Sequence, residues 1–117
     1  VALVEKIIET CSQLGLESEI LLLEGECLND LFADFQVRRI PCRFDALSAA
    51  LNECIGVISV DSLPSHLAEY YKIPVFVTTP VVNSYWLPLS TYYGNHWGLY
   101  DRVPELTCRL EKFLVNL

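Results

Sequence analysis

The sequence predicts an α/β domain: a parallel sheet covered by helices on both faces. Three observations carry this reading. Short, nearly uninterrupted apolar runs (Glu19 to Glu24, Ile55 to Val60 and Ile73 to Thr79) have the character of strands buried on both sides. Segments with apolar residues at helical spacing alternate with them. A 117-residue chain that is 52% hydrophobic and 20% charged folds around one core and is too short for two.

Taken in order, Val1, Val4, Ile8 and Cys11, flanked by Leu3, Ile7 and Leu14, follow a helical repeat that Gly15 stops. The run Ile20-Leu-Leu-Leu23 is the first buried strand, broken by Gly25. Residues 27–34 read as a short helix. Phe35 to Ile40 alternates weakly before Pro41 and predicts a short or edge strand. Phe44, Leu47, Leu51 and Cys54 mark a helix with Asp45 in its first turn. Ile55 to Val60 is the second buried strand, Pro64 to Tyr71 a helix, and Ile73 to Thr79 the third buried strand. Pro80 to about Arg102 shows no clear period and reads as a loop. A final helix begins near Pro104, with Leu106, Leu110, Phe113 and Leu114 on one face and Arg109 and Lys112 toward its C-terminus. Strands alternating with helices imply right-handed crossovers and a parallel sheet.

A formal net charge of -7 argues against DNA or RNA as a partner, since those need a basic footprint. It leaves a nucleotide open, because a few backbone N–H groups can hold a diphosphate on an acidic protein. No apolar stretch approaches the roughly 20 residues of a spanning helix, and Val1 to Thr10 lacks a basic leader. Because Val1 opens directly into a helical pattern, the chain reads as a segment of a longer protein. Five cysteines, Cys11, Cys27, Cys42, Cys54 and Cys108, are widely spaced with no C-x-x-C pair. Reduced thiols in a cytoplasmic setting are expected, with no disulfide and no metal site.

In an open parallel sheet, ligands bind beyond the carboxyl ends of the strands. One such end is Val60-Asp-Ser-Leu-Pro-Ser-His-Leu-Ala68. Ser62 and Ser65 are placed to cap the helix, Pro64 suits its first turn, and the exposed N–H groups with the helix dipole form an anion site of diphosphate size. His66, in that first turn, is placed to donate a hydrogen bond as a neutral imidazole. The spacing equally allows Asp61 and Ser62 only to cap the helix, with His66 packed beneath the strand ends. The second strand end, Thr78-Thr79-Pro80, adjoins a segment holding Tyr85, Trp86, Tyr92, Tyr93, Trp97 and Tyr100 with Gly94 and His96. Aromatic faces suit a base or sugar ring, or else pack against the sheet end or a partner domain. There is no G-x-G-x-x-G, no P-loop and no G-x-S-x-G elbow, so neither a standard NAD site nor a serine hydrolase is supported.

Gly56 to Ala68, followed by Tyr71-Lys-Ile-Pro-Val-Phe-Val77, resembles the C-terminal domain of the heptosyltransferase family, glycosyltransferase family 9. That family carries a D-[ST]-G-x-x-H-L-A segment, a short spacer and a P-V strand leading to an F-G-P-type loop. The match covers about residues 42–80. The resemblance implies one half of a GT-B fold, in which two Rossmann-like domains face across a cleft. The C-terminal half then binds a nucleotide-diphosphate sugar, without metal or cofactor, and the sugar passes to lipopolysaccharide or another glycan acceptor, with a glycolipid at the inner face of the cytoplasmic membrane as a candidate partner. By position it places Asp61, Ser62, the Leu63 backbone and His66 along the ribose and diphosphate of the donor. With the capping Ser65 and the strand-end Thr79, these are the expected donor-binding residues.

The resemblance also implies that the general base belongs to an N-terminal acceptor domain, so no residue of this chain is expected to serve as one. Two positions depart from the family pattern. Leu63 stands where the family has glycine, and Val77-Thr-Thr-Pro80 lacks the loop glycine. Both departures fit a changed donor or a binding module without catalysis.

Overall fold

The computed structural model describes residues 2–26, 35–81 and 87–117. The helix expected at 27–34, together with Tyr85 and Trp86, lies outside the described residues. The described elements run α1 Ala2–Gln13, β1 Ile20–Leu23, β2 Val37–Ile40, α2 Phe44–Asn52, β3 Val57–Val60, α3 Leu63–Tyr70, β4 Val75–Thr79, α4 Leu89–Tyr93, β5 Trp97–Leu99 and α5 Val103–Val115. Every described strand pairing is parallel, and the domain is α/β as the pattern of runs and repeats implies. The strands form two sheets, β1-β2 and β3-β4-β5, rather than one continuous sheet.

Three helices hand the chain toward a strand through the same turn. After α1, the Leu16 N–H donates to the Cys11 carbonyl and the Gly15 N–H to that of Ser12. After α3, Ile73 reaches Ala68 and Lys72 reaches Glu69; after α4, His96 reaches Thr91 and Asn95 reaches Tyr92. These are Schellman caps, which need a left-handed residue at the turn. Gly15 meets that need at φ 75, while Lys72 and Asn95 adopt φ 59 and 57. Glycine is the usual occupant, so the last two turns were less visible in the sequence than the first.

Side-chain alternation sorts the core into two layers. Ile58 of β3 and Phe76 of β4 face α1 and α5, packing with Cys11, Leu106, Leu110 and Phe113. Val57, Val75 and Val77 face the other way, against Ala68 of α3 and Leu87 and Tyr92 at α4. A third cluster built on Leu47, Ala50 and Leu51 of α2 touches Leu21 and Leu23 of β1 and also Val57 of β3. On that face, therefore, α2 spans the gap between the two sheets.

The segment expected to be a loop from Pro80 to Arg102 contains α4 and β5. Both are short, five and three residues, and each depends on β4. The buried Thr91 hydroxyl of α4 donates to the Val75 carbonyl at 3.4 Å, and β5 pairs with Val77 to Thr79. Elements this short carry too few residues to show a period of their own. β2 is an edge strand, as Pro41 implied.

Candidate functional site at the β3–α3 turn

Beyond Val60 the chain turns through Asp61 into α3, with Ser62 at the N-cap in extended backbone, φ -157 and ψ -177. The buried Ser65 hydroxyl accepts from the Ser62 N–H at 3.4 Å and donates to the Ser62 carbonyl at 2.7 Å, so Ser65 locks the turn. The Ser62 hydroxyl donates to the Val60 carbonyl at 3.3 Å and lies 3.5 Å from the Ser59 hydroxyl. Ser59 donates to the same Val60 carbonyl at 2.8 Å.

The helix start offers fewer donors than a helix terminus ordinarily does. Pro64 has no N–H, and the Ser62 carbonyl accepts from the N–H groups of Ser65 and His66 at 3.1 and 3.5 Å. The Leu63 N–H is the first-turn amide left without an acceptor among the described residues. Its φ is not left-handed, since the described non-glycine residues with positive φ are Lys72 and Asn95. A leucine here is therefore unstrained, and its effect on a ligand is steric: the side chain is 54% exposed.

His66 is out in solvent rather than beneath the strand ends. Its Nε2 lies 3.4 Å from Asp61 Oδ1, with side chains 50% and 25% exposed. An exposed pair of this kind contributes at most about 1 kcal/mol to stability. The contact sets the ring beside the Asp61 carboxylate at the start of α3. Thr79 is placed differently from expectation: it is buried and its hydroxyl donates to the Val81 carbonyl at 3.0 Å. Its neighbour Thr78, on the opposite face of β4, lines the concavity beside the turn. Period-two alternation was the signal for Thr78, but it needed the facing of β4 to be known.

That concavity is a cleft of about 1020 Å³ running between β1 and β3. Ser59, Ser62, Leu63 and Thr78 line it at the turn, while Asp61, Ser65 and His66 do not. Farther along it holds Glu17, Glu19, Glu26 and Glu53 with a broad apolar floor, and no Lys or Arg among the described lining residues.

The aromatic segment divides. Trp97 in β5 is covered by α5: the Arg109 guanidinium lies 4.5 Å from its ring centroid and donates to its carbonyl at 3.2 Å. Glu105 holds the same guanidinium at 2.8 Å. His96 packs edge-on to Phe113, with centroids 5.0 Å apart, and burial pushes its pKa below the ordinary imidazole range. A smaller hollow of about 300 Å³ opens there, lined by Gly94, Asn95, His96, Arg109, Lys112 and Asn116. It lies at the amino end of β5, away from the strand ends that carry Asp61 to His66. Tyr93 and Tyr100 are exposed and Tyr92 is half-buried. Packing thus accounts for Trp97 and His96.

Cys11, Cys42, Cys54 and Cys108 are free thiols, and burial raises the pKa of Cys11 and Cys54. Among the described residues no group of three or more His, Cys, Asp or Glu side chains is arranged to hold a metal ion, and no helix is long and apolar enough to cross a membrane. No family model matches the chain, and comparison with curated proteins and with solved structures finds no match.

Proposed function

We propose that this domain binds a nucleotide-diphosphate sugar at the β3–α3 turn, as the donor-side half of a heptosyltransferase-like glycosyltransferase. One observation carries the reading. At the carboxyl end of a parallel strand, where α/β sheets take ligands, the turn presents the Leu63 N–H, the Ser62 hydroxyl and an imidazole beside Asp61. On this reading the amide meets one phosphate oxygen, the Ser62 hydroxyl turns from the Val60 carbonyl to donate to another, and the His66 ring donates a further hydrogen bond. The base that deprotonates the acceptor comes from the facing domain. Acceptor and membrane contact likewise belong to the whole transferase.

A non-catalytic binding module of the same fold is the second reading. What favours it is the small donor set: among the described residues one first-turn amide is open, and no Lys or Arg lines the adjoining cleft.

The test is titration of the domain with ADP, UDP, GDP and CMP, followed by backbone amide shifts. The expected result is saturable shifts at Ser62, Leu63, Ser65 and His66 with one nucleotide preferred. His66→Ala is expected to weaken that binding roughly ten-fold, the worth of one hydrogen bond to a charged group. No shift at the turn with any nucleotide at millimolar concentration sinks the donor-site reading.

A further inference from the structure

We propose that the cleft between β1 and β3 is the seat of a further parallel strand, an extended apolar segment of four or five residues that runs directly into α1.

Among the described residues, the backbone facing the cleft has no strand partner on either side. The Ile20 and Glu24 N–H groups donate to the carbonyls of Gln36 and Ile40, each at 2.9 Å. Alternate residues of a parallel strand serve opposite neighbours, so Leu21 and Leu23 face away from β2. The Val57 N–H donates to Pro74 at 2.9 Å, so by the same rule Ile58 and Val60 face away from β4. All four residues line the cleft. Where these groups find partners, local side chains provide them. The Glu26 carboxylate accepts the Leu23 N–H at 3.0 Å, and the hydroxyls of Ser59 and Ser62 donate to the Val60 carbonyl.

The composition of the edges agrees. Sheets blunt true edges with charge or brevity. The outer edge strand β2 carries Arg38 and Arg39, and β5 at the other end is three residues long. The two inner edges read Ile-Leu-Leu-Leu and Val-Ile-Ser-Val, which is the composition of strands with neighbours on both sides. Four residues of strand occupy about 600 Å³ at ordinary strand and layer spacings, and the cleft offers about 1020 Å³.

Topology selects the segment joined to α1. A strand placed in the cleft makes the order β2-β1-new-β3-β4-β5. Numbered along the chain with the new strand first, this is 3-2-1-4-5-6, the doubly wound order. Handedness gives an independent check. Right-handed crossovers that move in opposite directions along a sheet place their helices on opposite faces. α3 carries the chain from β3 to β4 on the Val57–Val75 face. A crossover from the new strand to β1 moves the other way and must use the opposite face, where α1 packs with Phe76 and Phe113.

The experiment compares the chain with two variants carrying six extra residues at the N-terminus. One has Lys-Val-Ile-Val-Ile-Gly; the other has proline at alternate positions, which removes the N–H groups that pairing needs. Amide hydrogen exchange is read at Leu21, Leu23, Ile58 and Val60. The expected result is at least ten-fold slower exchange at these amides with the first extension only, and cross-strand nuclear Overhauser contacts from it to both β1 and β3. Unchanged exchange, or pairing of the extension with β2 or β5, overturns the proposal. So does concentration-dependent protection of the same amides in the unextended chain, which would give the cleft to a second copy. If the extended protein precipitates, the same segment bearing lysine tails is added as a free peptide at millimolar concentration. Slowing at both strands then supports the proposal, and no slowing overturns it. None of these readings depends on nucleotide binding.

Discussion

β4 and β3 are neighbours of similar composition with different fates. All five residues of β4 are buried, and none of the four in β3 is. Val-Phe-Val-Thr-Thr contains no more apolar residues than Val-Ile-Ser-Val. The difference lies in the surroundings. β4 has a strand on each edge, helices α3 and α4 on one face and α5 on the other. β3 has β4 on one edge and the cleft on the other. Apolar runs report what a strand is suited to, while burial reports what has been packed around it. The β3–α3 turn leaves the end of β3, so the candidate site stands on the boundary between the closed and the open halves.

The largest expected effect tests that contrast directly. Phe76 is fully buried, with its ring 5.7 Å from that of Phe113 and tilted to it. Phe76→Ala is expected to cost about 3–5 kcal/mol, the range for deleting a core aromatic. Val60→Ala, at a side chain 49% exposed, is expected to stay within about 0.5 kcal/mol. Urea unfolding of both variants decides the matter. A Val60→Ala cost near that of Phe76→Ala would mean that β3 is as enclosed as β4 in solution, and the comparison would fail.

Next in size is a pair of glycines, one in each half. A Cβ at Gly98 in β5 would lie 2.5 and 2.7 Å from side-chain atoms of Leu106 and 2.9 Å from its Cα, so α5 itself must move. Overpacking of this kind costs about 1–3 kcal/mol, which is the expectation for Gly98→Ala. A Cβ at Gly56, just before β3, has as its nearest neighbours the methyl groups at the tip of the Leu117 side chain, at 3.0 Å. Gly56→Ala is expected to change stability by less than about 0.5 kcal/mol. Thermal unfolding that ranked the two variants in the reverse order would place the tighter packing at β3.

The same division governs how much could be read from the sequence. Strands β1, β3 and β4 and helices α1, α2, α3 and α5 were legible because each is long enough to show its own period or run. α4 and β5 were not, since Thr91 and Trp97 to Leu99 acquire their structure from β4. Separation of the strands into two sheets is a tertiary property with no local signature. At the site, Asp61, Ser62 and His66 fall at the expected turn, and the Ser65 cap follows from its spacing to Ser62. That Thr78 rather than Thr79 lines the cleft was hidden because one residue of register reverses which face a side chain takes. The number of open amides was hidden because the Ser62 carbonyl already receives Ser65 and His66.

The smallest expected effect sharpens the comparison from the closed side. His96 is half-buried against Phe113, and Arg109 and Lys112 line the same hollow. Burial lowers its pKa in the folded protein, whereas in the unfolded chain it titrates near the ordinary value of about 6.5. Between those two values the unfolded state binds more protons, so stability rises with pH. The contribution of the neutral ring is complete above about pH 6.5 and is lost as pH falls from there through the folded value. His96→Gln removes this titrating ring, so the expected outcome is a shallower loss of stability between pH 7 and pH 5 than in the parent. Amide exchange should place the acid loosening of the parent first in β5 and the facing turn of α5, and not in α3. Parallel stability curves for His96→Gln and parent across that range would mean that the ring is as well hydrated folded as unfolded. The closed half would then be more open around β5 than the burial of β4 implies.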